Sequence, residues 1–151
     1  MMFKQIREIL AELHDYNNTF IKNCERIQSQ MENNDLTALI NQWKKIRQEF
    51  GTVIGRYEKE GSKHILDTWI QFSSDRAVAV ILDEIRAKSD CTAEEIFRIS
   101  GEFENSLEDV IRQLSEKTIS AKGRAVFNAL LQVMKSEKLH ISTNYALMKD
   151  L

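Results

Sequence analysis

The sequence has no proline, and only five of its 151 residues are glycine. Chains that turn often between strands draw on both residues, so this composition disfavours a sheet protein and favours long helices. Cysteine is almost as scarce. Cys24 and Cys91 are the only two, they lack the spacing of a metal-binding pair, and they read as reduced thiols in a cytoplasmic protein. No apolar run reaches the roughly 18 residues that would mark a membrane-spanning helix. Met1 to Glu8 lacks the apolar stretch of a secretory signal. Nor is there a surplus of positive charge: 21 Lys and Arg stand against 23 Asp and Glu, a net charge of −2. Without a basic excess to neutralise phosphates, nucleic acid is not expected as a partner. Gly-rich phosphate loops, nucleophile elbows and Cys-x-x-Cys pairs are missing as well.

What remains is ordinary for one globular domain, with 42% hydrophobic and 29% charged residues. Apolar residues recur at helical spacing. Ile6, Leu10, Leu13, Phe20, Cys24, Ile27 and Met31 predict a first helix over about 2–31, with polar Asn17 interrupting its stripe. Asn33-Asn34-Asp35 supplies a turn and a cap. A second helix follows through Trp43, Ile46, Phe50 and Tyr57. Gly51 and Gly55 inside it weaken it by about 1 kcal/mol each relative to alanine, which close packing against a neighbour would justify. Gly61-Ser62 breaks it. An apolar cluster at 65–72, a turn at Ser73-Ser74-Asp75 and a short helix over 77–87 read as a crossover. Thr92-Ala93-Glu94-Glu95 has the form of a capping box and opens a third long helix. After a turn over 118–123, a fourth runs to about Lys149. The order is hairpin (2–60), crossover (61–91), hairpin (92–150), an all-α four-helix bundle.

Polar residues on apolar stripes carry the functional signal. In the fourth helix the stripe steps through 127, 130, 134, 137 and 141, which puts Glu137 on an inward position, and His140 follows one turn later. Glu-x-x-His sets a carboxylate and an imidazole on one helix face. In the third helix Glu104 adjoins the line of Phe103 and Leu107; the alternative is that Glu104 lies at the edge and Glu102 or Glu108 simply decorates a solvated face. A buried carboxylate needs a cation or a proton.

The stretch from Thr92 through Glu104 to Leu107, followed by Phe127 to Glu137-Lys-Leu-His140, resembles the second half of rubrerythrin-type ferritin-like proteins. That resemblance implies a ferritin-like four-helix bundle with a helical crossover between the second and third long helices. It also implies a di-metal site of iron or manganese held by inward carboxylates and histidines, and oxidoreductase chemistry. Glu104, Glu137 and His140 match that pattern. The first half departs from it: His14 stands at a first-helix ligand position where the family has Glu, and Arg47 and Phe50 stand where the family has a second Glu-x-x-His.

Arginine is always charged in proteins. An inward Arg47 would repel a divalent metal and could pair with Glu104 and Glu137 through its planar fork, with Phe50 filling the space of the lost imidazole. The reading that follows is a degenerate di-metal site in a non-catalytic binding or structural module, acting as a homodimer through a helix face. Two others stand beside it. One is an iron- or manganese-dependent oxidoreductase using His14, Glu104, Glu137 and His140. The other is an unrelated helical adaptor that shows Trp69, Ile70 and Phe72 to a protein partner. His64 is expected at the surface, Trp43 and Trp69 as packing anchors, Cys24 in the core, and Cys91 beside a helix N-terminus, where a thiolate is favoured.

Overall fold

The computed structural model describes residues 2–30, 34–72, 76–88 and 91–149. Within them the chain forms β1 (Met2–Gln5), α1 (Ile6–Ser29), α2 (Asn34–Glu60), α3 (Lys63–Leu66), β2 (Trp69–Phe72), α4 (Arg76–Ala87), α5 (Ala93–Lys117) and α6 (Ala121–Lys149). The mostly helical expectation holds. Among the described residues no helix is long and apolar enough to cross a membrane.

The expected stripes are buried. Ile6, Leu10, Leu13, Phe20 and Ile27 of α1 meet Ile99, Phe103, Leu107 and Leu114 of α5 in one apolar cluster, together with Trp43 and Phe50 of α2 and Phe127 and Met134 of α6. α1 packs along α2, and α5 along α6; α4 ties α1 to α5, while α2 touches α5 and α6 more sparingly. Phe20 stacks on Phe103 with centroids 4.3 Å apart. Such ring pairs contribute about 0.5–1.5 kcal/mol beyond the area they bury.

Local chemistry sets the ends of several elements. Thr92 accepts from the Glu95 backbone N–H while the Glu95 side chain accepts from the Thr92 N–H, a complete capping box at the start of α5. At Gly61, where α2 stops, a Cβ would lie 2.5 Å from the Tyr57 carbonyl oxygen, so only glycine fits. Gly51 brings α2 close to α1: a Cβ there would stand 3.0 Å from Asn17 Nδ2.

Several expectations need correction. The first helix begins at Ile6, because Met2–Gln5 pairs antiparallel with Trp69–Phe72 in the register Met2↔Phe72 to Gln5↔Trp69. This ribbon is one small two-stranded sheet in an otherwise helical chain, which remains consistent with an all-α fold. Trp-Ile-Gln-Phe is rich in β-favouring residues and alternates exposed and buried positions, and a strand needs an edge to pair with. Ile70 and Phe72 are 5% and 1% exposed, packed on the core, so they present nothing to a partner. Trp69 is no anchor; it lies on the outer face at 60% exposure. The connection after α5 is shorter than expected, covering 118–120, and Gly123 already lies in α6. Of the Asn33-Asn34-Asp35 turn, Asn33 lies outside the described residues, and Asn34 and Asp35 are already helical. Residues 73–75 lie outside them entirely.

Candidate functional site

Arg47 sits on α2 between Trp43 and Gly51, on the face that meets α1 and α5. Its side chain is 1% exposed, and Nη2 donates to Glu104 Oε1 on α5 at 3.0 Å, with Glu104 at 0%. The guanidinium carbon lies 5.0 Å from the centre of the Phe50 ring, a cation–π contact. From α1, fully buried Asn17 donates through Nδ2 to the Arg47 backbone carbonyl at 2.6 Å. Three helices thus meet at one polar knot inside an apolar core.

The knot is incompletely paired by protein. Arg47 Nε and Nη1, Glu104 Oε2 and Asn17 Oδ1 are buried and find no hydrogen-bond partner among the described residues; the same holds for Trp43 Nε1 and Ser100 Oγ, one helical turn before Arg47 and Glu104. Burial pushes the Glu104 carboxyl up to about 7, against the pull of Arg47 and with a further push from Glu137 and Glu108. Burial draws Arg47 below its ordinary value, while Glu104 and Glu137 hold it up. Both shifts have one cause: desolvating two charges costs more than a single hydrogen-bonded contact returns.

The residues expected at a metal centre are not brought together. Glu104 is at the centre, as an inward carboxylate. His14 instead points to α2, where its Nδ1 lies 2.9 Å from Glu58 Oε1 with the ring side chain 37% exposed. His140 is exposed, on a shallow cleft with Lys45, Glu49 and Glu137. Glu137 is half-buried; its Oε2 has no hydrogen-bond partner among the described residues. Burial raises its carboxyl pKa, opposed by Arg47 and reinforced by Glu49. Arg47 does not fork between Glu104 and Glu137; its hydrogen bond goes to Glu104 alone. Among the described residues no group of three or more His, Cys, Asp or Glu side chains could hold a metal ion. A metal does not fit this donor set, because a permanent cation already occupies the Glu104 oxygen that a metal would need and the two histidines face elsewhere.

The remaining candidates are placed simply. Glu102 is exposed and pairs with Arg98, and Glu108 is buried but neutralised by Lys138 at 3.3 Å and Arg112 at 3.9 Å. Cys24 is buried in the core, its thiol pushed up to about 12 by burial, so it is a packing residue. Cys91 is buried at 5% exposure, which shields it from attack. His64 is exposed. The sequence alone does not place Asn17 in the knot. Asn17 did carry a signal, since it interrupts an otherwise apolar stripe.

No family model, no curated protein and no solved structure matches this chain.

Proposed function

We propose that this chain is a non-catalytic helical-bundle module of ferritin-like design, in which Arg47 stands where related bundles keep a metal. The hairpins α1–α2 and α5–α6 serve as the four long helices, and α3, β2 and α4 form the crossover between them. The observation that carries this reading is the buried contact of Arg47 with Glu104 at the meeting of α1, α2 and α5. A guanidinium supplies the positive charge that an inward carboxylate demands, without a metal's ability to polarise a substrate or change oxidation state. The module works through its surfaces, by holding a second copy of itself or another protein.

The alternative, an iron or manganese oxidoreductase, requires Arg47 to leave the core and His14 and His140 to turn inward, and no contact favours that rearrangement. Elemental analysis of protein purified without chelator, then incubated aerobically with Fe(II) or Mn(II), tests the proposal. Metal far below one ion per chain is the expected result. Stoichiometric metal that Glu137→Ala or Glu104→Ala abolishes would overturn it.

A further inference from the structure

A cleft between α2 and α6 carries chemistry that the core pair does not use. Its volume is about 430 Å³, and Phe50, Val53, Val126, Leu130 and Val133 form its walls. Val53 and Val133 are 41% and 52% exposed, so the apolar lining is open to solvent. This size lies within the range of pockets that hold small organic ligands, about 300–1,000 Å³. Two carboxylates, Glu49 and Glu137, are its charged lining residues. Among the described residues Glu137 Oε2 is buried without a hydrogen-bond partner, and Arg47, a cation acting on that carboxyl, already donates to Glu104. Past Val53 and Leu130 the groove runs into a second hollow of about 310 Å³, whose rim carries Arg56, Glu60 and Lys122. The apolar stretch is thus bounded by charge at both ends, with two carboxylates, Glu49 and Glu137, at one of them and Lys45 on the adjoining cleft that the two share.

We infer that this cleft binds an amphiphilic organic cation: an ammonium head on Glu137 and Glu49, and a short aliphatic body along the valine and leucine walls. The head lies against the two lining carboxylates, and charge-assisted bonds to such groups are about twice as strong as neutral ones. The body covers apolar surface that water otherwise wets. An aliphatic carboxylate of the same length meets two like charges instead. The inference needs only the α2–α6 groove and does not depend on the ferritin-like reading of the core, so metal analysis and ligand binding fail separately.

The test is calorimetric titration of the full chain with octylammonium, octanoate and neutral octanol, with folding of every variant checked by circular dichroism. Saturable octylammonium binding is expected, with octanoate at least about tenfold weaker, since tenfold corresponds to only about 1.4 kcal/mol. Glu137→Gln should weaken octylammonium by about tenfold while leaving octanol unchanged. Ala129→Trp, at an exposed position lining the cleft, should abolish binding of all three. If Glu137→Gln disturbs folding, Glu49→Gln, at an exposed position, gives the same comparison with the same expected direction. Equal affinity for octylammonium and octanoate, no loss in a folded carboxamide variant, or no saturable octylammonium binding would each overturn the inference.

Discussion

Arg47 and Glu104 hold opposite charges in an interior that disfavours both, and their means of escape differ. Glutamate can take up a proton; arginine cannot release one. Removing the carboxylate should therefore hurt more than removing the cation. Glu104→Leu strands a permanent charge and should cost about 3–5 kcal/mol in urea unfolding, whereas Arg47→Met should cost clearly less because Glu104 neutralises itself. Equal losses would contradict this asymmetry. The same pair makes stability depend on pH. Between the ordinary value of 4.5 and the folded value of about 7, native Glu104 keeps a proton that the unfolded chain has released. Stability should accordingly fall as pH rises through that window and level off above it, and Glu104→Gln should remove that component of the slope. A difference between wild type and variant that is flat across the window would contradict the assignment. At this scale the sequence was partly legible. Glu104 and Arg47 were readable because a charged residue on an apolar stripe needs an explanation. The directions of His14 and His140 were not, because three-four spacing places a residue only to within about one neighbouring position on the helix surface.

Among the elements, the helices announced themselves and the ribbon did not. Stripes of twenty or more residues overrule any local ambiguity, and the Thr92–Glu95 box fixed the start of α5 to the residue. β1 and β2 span four residues each and pair across 64 to 70 positions of sequence; a pattern over so short a stretch does not separate a strand from the edge of a helix. From sequence alone Met2-Phe3 accordingly reads as helix and 69–72 as part of an apolar cluster. The burial pattern yields a sharp contrast between neighbours. Phe72→Ala should destabilise by about 3–5 kcal/mol, as for other fully buried rings, while Trp69→Ala should stay within about 0.5 kcal/mol. Comparable losses at both sites would mean that the ribbon does not pack as described. Thr92→Ala should cost about 1 kcal/mol by removing the cap of α5.

Across the whole molecule, a single contiguous core joins both hairpins, and α4 bridges α1 to α5. Unfolding should therefore be one cooperative transition. Trp43 is buried and Trp69 exposed, so tryptophan fluorescence reports chiefly on the core near Arg47 and circular dichroism on all helices. The two urea curves should coincide, and separated midpoints would show that the hairpins unfold independently. The order of long helices was legible because it rests on length and period. The function was less so: the part of the chain that looks like a metal-binding bundle supplies Glu104, while α2 answers it with Arg47.

The central claim, that a guanidinium and a carboxylate hold each other in the core, is tested most directly by a double-mutant cycle. Urea unfolding of wild type, Arg47→Met, Glu104→Leu and the double variant measures the coupling between the two positions. The double variant should regain most of what Glu104→Leu loses, with a coupling of about 2 kcal/mol or more. Losses that add to within about 0.5 kcal/mol would show that the two side chains act independently and would contradict the account.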